Sequence, residues 1–69
     1  MELDLHGVRH YDVDRVVENF VYINQSSVPL SIICGNSLRM MQLTKETLTR
    51  IDCEYTEPRF GLICVIRLN

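Results

Sequence analysis

The spacing of the apolar residues changes repeatedly along this chain, and each change marks the border of an element. "ELDL" at 2–5 alternates charged and aliphatic residues, the period-two signature of a strand with one buried face. Leu3 and Leu5 then face one way, and Glu2, Asp4 and His6 the other, with Gly7 ending the strand. "YDVDRVVENFVYINQ" switches to helical spacing, with Val13, Val16, Val17 and Phe20 forming one stripe. Asp12 and Asp14 fall in its first turn, where the helix dipole favours anions. "NQSS" breaks the pattern and Pro29 marks the next border. "LSIIC" is a short β-branched run that predicts a buried strand, and Gly35 and Asn36 follow as turn residues. "SLRMMQLTKETLTRI" predicts a second helix, with Ser37 as its N-cap and a looser stripe of Leu38, Met41, Leu48 and Ile51. "CEYTE" predicts a strand that Pro58 interrupts, and "FGLICVIRL" is the strongest strand of the chain.

The order is βαβαββ, and 69 residues suffice for one domain spanning 1–69. Strand–helix–strand crossovers are right-handed and imply parallel strands. Both crossovers step in the same direction, so both helices land on one face of the sheet. The expected architecture is a two-layer α/β sandwich with the other sheet face open.

Composition narrows the function. Hydrophobic residues at 46% and charged residues at 23% give a globular balance. A net charge of −2 lacks the basic excess usual in a stoichiometric nucleic-acid binder. Any contact with nucleic acid must therefore be local, with Arg9, Arg39, Lys45, Arg59 and Arg67 as the available bases. No signal peptide follows Met1, and "LICVI" is far too short to span a bilayer, so no membrane partner is expected. Cys34, Cys53 and Cys64 have neither disulfide-framework nor zinc-ligand spacing. They read as small buried hydrophobes in a reducing, cytoplasmic setting.

Strand alternation sends Asp4 and His6 to the open face, at the carboxyl end of the first strand. The second strand is parallel, so Cys34 and Gly35 lie at the same edge, where the second helix begins. The free N–H groups of that helix can hold a phosphate, and Gly35 lets a ligand approach the backbone. An antiparallel last strand would start at this edge too and bring Arg59 and Gly61 close. A carboxylate, an imidazole, a glycine turn, a helix N-terminus and one or two arginines would converge there, a group able to bind and cleave a phosphodiester.

"LDLHG" at 3–7, the amphipathic helix after it, "IICGNS" at 32–37 and "GLICVIRL" at 61–68 together resemble the small MutS-related (Smr) domain family. The likeness runs from Leu3 to Leu68. It implies a four-stranded mixed sheet of order 1-2-4-3 with strand 4 antiparallel, as in the C-terminal domain of translation initiation factor three. It also implies a domain that nicks DNA, cuts RNA or binds nucleic acid. The family's box residues carry over to Asp4, His6 and Gly35. Cys34 stands where many members have threonine, Ser37 stands in place of the second glycine, and the closing double glycine is reduced to Gly61.

The resulting expectation is an endonuclease with Asp4 and His6 as catalytic residues. Gly7, Arg9, Gly35, Asn36, Ser37, Arg39, Arg59 and Gly61 are the phosphate or nucleic-acid contacts. His6 would act as general acid or base. Asp4 would orient it, hold a positive charge on it or help to bind a divalent ion. One such pair makes a poor cage, so the expectation is metal-independent chemistry or a weakly held magnesium or manganese. Ser37 reads as an N-cap rather than a nucleophile, and His10 as a surface residue. Two other readings stay open. One is a non-catalytic nucleic-acid or ribosome-binding module. The other is a protein-interaction or homodimer surface on the open sheet face, with Ile33, Ile63 and Val65 as its apolar patch.

Overall fold

A computed structural model describes all of residues 1–69, and the changes in apolar spacing become its element borders. The strands are β1 (Glu2–Asp4), β2 (Leu30–Ile33), β3 (Cys53–Arg59) and β4 (Leu62–Leu68). The helices are α1 (Val13–Ile23) and α2 (Leu38–Arg50). Short 3-10 turns at His10–Asp12 and Gln25–Ser27 precede and follow α1. The sheet order is β1-β2-β4-β3, with β1 parallel to β2 and β4 antiparallel to both of its neighbours. This is the two-layer sandwich expected from the order of elements, with the strand order that the resemblance implies. No helix is long and apolar enough to cross a membrane.

The core lies between the two helices and one sheet face. Val13, Val17 and Val21 of α1 are fully buried, while Val16 and Phe20 flank them partly covered. The buried stripe of α2 is Met40, Met41, Thr44, Thr47 and Leu48. The expected Leu38 instead lies 63% exposed in the first turn. Threonines can take core positions here because each hydroxyl is satisfied locally. Thr44 Oγ1 donates to the Met40 carbonyl at 2.9 Å, and Thr47 Oγ1 donates to the Leu43 carbonyl at 3.0 Å. The same Thr47 proton is shared with Asp14 Oδ1, 2.9 Å from Oγ1, and this shared bond ties α2 to α1. Arg50 strengthens that seam by pairing with Asp14 and Glu18. Asp14 therefore bridges the two helices as well as sitting at the positive end of α1.

The open face carries a different set of residues from that expected. Ile63 and Val65 are fully buried, and they pair in register with Ile32 and Leu30 beneath the helices. The apolar patch reading is corrected accordingly. Register decides it, because one step along a strand exchanges the two faces. Leu62 pairs with Ile33 and Cys64 with Ser31, and these residues, together with Asp4 and Glu2, form the open side. Pro58 does not end β3. It sits at a register irregularity between Thr56 and Arg59 on an edge strand, a position where a missing N–H is tolerated.

Candidate functional site

Asp4 ends β1, and the chain must turn sharply there to enter α1. The turn is built from three local features. Asp4 Oδ1 accepts the backbone N–H of His6 at 2.9 Å. The Val8 N–H reaches the Leu5 carbonyl at 3.0 Å, and Gly7 takes a φ of +83°, a value that favours glycine. Leu5 is 1% exposed and anchors the turn in the core, which forces its neighbours Asp4 and His6 outward. Asp4 thus orients His6 through the main chain.

Two residues past the end of β2 the chain turns again. Gly35 adopts a φ of +67°. Ser37 caps α2, its hydroxyl accepting the Met40 N–H at 3.1 Å. The N–H groups of Leu38 and Arg39 have no acceptor one turn back in the helix, so they remain available at the dipole's positive end. Cys34 packs beneath this turn, and its thiol donates to Thr44 Oγ1 at 3.6 Å. Burial pushes the Cys34 thiol pKa above its ordinary value, against the opposing effect of the Thr44 hydrogen bond. It is a neutral packing group.

The tip of the β3–β4 hairpin rests on the Gly35 turn. The Gly61 carbonyl accepts the Cys34 N–H at 2.7 Å, and the Gly61 N–H donates to Met41 Sδ at 3.2 Å. A Cβ on Gly61 would stand 2.4 Å from the Gly35 carbonyl oxygen. Gly61 is therefore a buried joint between two turns, with its N–H directed into the fold.

Two adjoining clefts result. The larger, about 550 Å³, is lined by Asp4, His6, His10, Gly35, Asn36 and Ser37 among others, with Gly7 on its wall. The smaller, about 240 Å³, is lined by Arg59, Phe60, Gly61 and Leu62, and shares Ile33, Gly35 and Asn36 with the first. Of the expected residues, the first cleft gathers Asp4, His6, Gly7, Gly35, Asn36 and Ser37. The second holds Arg59 and Gly61. Arg9 and Arg39 line neither cleft. Arg9 stands at the N-cap position of the 3-10 turn before α1 without a capping side-chain bond, and Arg39 lies in the first turn of α2.

The charge pattern singles out the same edge. Of the 7 lysines and arginines, Arg15, Lys45, Arg50 and Arg67 pair with acids. Arg9, Arg39 and Arg59 make no ion pair, and all three lie at the edge where β1, β2 and β3 end. Asp4 is the one acid lining the clefts. A chain of net charge −2 thus keeps its uncompensated cations at one edge. No group of three or more His, Cys, Asp or Glu side chains is disposed to hold a metal ion.

Two cleft residues had no site role assigned from the sequence. His10, expected at the surface, is exposed and lines the larger cleft together with His6, because the Leu5–Val8 turn folds the chain back on itself. Its only signal was a second imidazole four residues on, across a glycine. Phe60 lines the smaller cleft and is 54% exposed. An aromatic between an arginine and a turn glycine was the clue there. Set against protein-family models, curated proteins and solved structures, the chain matches none.

Proposed function

We propose that this domain acts on nucleic-acid phosphodiesters, binding them at the Gly35 turn and cutting them in the larger cleft as an endonuclease. The observation that carries the reading is the sharing of one cleft by Asp4, His6, His10 and the capped start of α2. The likeness of "LDLHG" at 3–7 to the first box of the Smr family supports it. The phosphate sits against Gly35, where the absence of a side chain and the free N–H groups of Leu38 and Arg39 favour an anion. Arg9, Arg39 and Arg59 hold the flanking backbone phosphates.

The chemistry needs a base for the nucleophile and an acid for the leaving oxygen. His6 and His10 supply two imidazoles, the side chain best suited to both tasks near neutral pH. The nucleophile is water or, in RNA, the ribose 2′-hydroxyl. One imidazole takes its proton as the new P–O bond forms, and the other, as imidazolium, protonates the departing oxygen. Asp4 fixes the His6 main chain and adds negative charge beside the imidazolium. A magnesium or manganese ion held by Asp4 and the phosphate is compatible with this arrangement. Free thiols suit a reducing compartment, and we assign the activity to the cytoplasm.

A second reading rests on one detail. The Asp4 carboxylate is engaged by the His6 backbone rather than its ring, which suits a binding module as well as a nuclease. The deciding experiment incubates DNA and RNA, single- and double-stranded, with the protein in magnesium and in manganese. A nuclease cuts at least one of them, and Asp4→Asn and His6→Gln each lower the rate by about 10²–10⁴-fold while the fold stays intact. Uncut substrates that still bind in a salt-sensitive way leave the binding module. Absence of both cutting and binding removes the phosphodiester reading.

A further inference from the structure

We infer that the smaller cleft, between the hairpin tip and the Gly35 turn, is a subsite for one unpaired nucleobase. The inference rests on the phosphodiester reading and adds what it leaves open, the state of the nucleotide beside the bound phosphate. Ile33 and Leu62 pair across β2 and β4 and give the cleft an apolar floor. Phe60 stands at its rim, 54% exposed, on a hairpin tip where an aromatic ring gains little from the core. Asn36 offers a side-chain amide, and Arg59 offers a guanidinium with no acidic partner.

A nucleobase matches this set group by group. Its flat faces are apolar enough to cover Phe60 and the Ile33–Leu62 floor. Its edge carries donors and acceptors, and an amide supplies both. A strand carries a phosphate on either side of each base, and the unpaired Arg59 at the end of β3 can meet the one on the hairpin side. The row Asp4, Ile33, Leu62, Arg59 runs directly across the sheet by register, so the base cleft continues the larger cleft without a step. The two clefts share Ile33, Gly35 and Asn36, so a base in one belongs to a nucleotide whose phosphate lies in the other.

The consequence is a preference for unpaired strands. A base held in a duplex is stacked on both faces and paired at its edge, so it cannot enter the cleft. The cleft is also held ready. The Cys34 N–H to Gly61 carbonyl bond of 2.7 Å and the Gly61 N–H to Met41 Sδ contact of 3.2 Å fix the hairpin tip against the Gly35 turn. Little ordering is then needed when a base arrives.

The test measures fluorescence anisotropy of the full chain with a labelled single-stranded oligonucleotide and with its duplex, across a range of salt. Wild type binds the single strand more tightly. Phe60→Leu keeps an apolar side chain but removes the aromatic face, and weakens single-strand binding by about 5–150-fold. Its salt slope and its duplex affinity stay unchanged, and Phe60→Trp restores single-strand binding. Circular dichroism verifies that the exposed substitution leaves the fold intact. Binding that is salt-dependent yet indifferent to Phe60, or losses equal on duplex and single strand, overturns the subsite and leaves the phosphodiester reading standing. No binding of either oligonucleotide by wild type overturns both.

Discussion

Replacing Gly61 by alanine probes the joint on which both clefts depend. Gly61 has a φ of +90°, where an L-residue is strained, and its added methyl would lie 2.4 Å from the Gly35 carbonyl oxygen. That oxygen is backbone and cannot swing aside, so the hairpin tip or the Gly35 turn must shift. Gly35 supplies the control: its φ is +67°, and an added Cβ meets nothing within 4 Å. Gly35→Ala therefore carries only the conformational cost, about 1–2 kcal/mol. Gly61→Ala carries a similar cost plus an overpacking cost of about 1–3 kcal/mol. Together these come to about 2–5 kcal/mol, against a total stability of roughly 3–10 kcal/mol for a 69-residue domain. Urea denaturation followed by circular dichroism reads the difference as a lowered midpoint at constant m-value. Gly61→Ala should lie well below Gly35→Ala and remove roughly half of the domain's stability. Equal midpoints for the two variants would refute the close approach of the two turns, and with it the bracing of the clefts.

Other expectations follow from named contacts. Arg39→Gln should weaken nucleic-acid binding on all sequences and reduce the slope of log affinity against log salt by about 0.7–0.9, as measured by anisotropy at several salt concentrations. An unchanged slope would mean that Arg39 touches no phosphate. His10→Gln should slow cleavage by about 10²–10⁴-fold with binding retained, and undiminished cleavage would remove His10 from the chemistry. Thr47→Val keeps the shape but breaks the link to Asp14, costing about 1 kcal/mol and lowering the melting temperature by about 4–8 °C. No change would show that the Arg50 pairs hold the two helices without it. Burial raises the Cys34 and Cys53 thiol pKa values, with the Asp52 charge acting the same way on Cys53. Groups raised on folding stabilise the fold below their unfolded pKa and lose that contribution above it. Stability should hold across neutral pH and fall from about pH 8.5 upward, and less steeply in Cys34→Ala. A fall of the same steepness in the variant would contradict that assignment.

The architecture was legible because its signals are local and agree with one another. Strand β1 alternates, α1 carries a clear valine stripe, and Ser37 caps α2 as its type suggests. The less legible parts depend on partners distant in sequence. Met41, Leu48 and Ile51 of the expected α2 stripe are buried, whereas Thr44 and Thr47 look polar until their backbone acceptors are in place, and Leu38 looks apolar yet falls on the outer side. The phase of β4 could not be read from "LICVI", a run with no alternation. Only the pairing of Leu62 with Ile33 fixes which of its residues lie under the helices. At the site, Asp4, His6 and Gly35 follow from strand direction alone. His10 enters through a tight turn, and Phe60 through a hairpin whose tip is positioned by backbone contact with a turn 26 residues earlier, roughly the span from Gly35 to Gly61. The net charge concealed the local pattern, because four bases are neutralised by nearby acids and the remaining three gather at one edge.

Amide chemical-shift mapping of the domain during titration with a short single-stranded oligonucleotide reads directly whether nucleic acid is bound at this edge. The perturbed amides should cluster at His6, Gly7, Gly35 through Arg39, and Arg59 through Gly61. Shifts confined to the opposite edge, around Asp52 and Asn69, or to the outer surfaces of α1 and α2, would contradict binding at this edge.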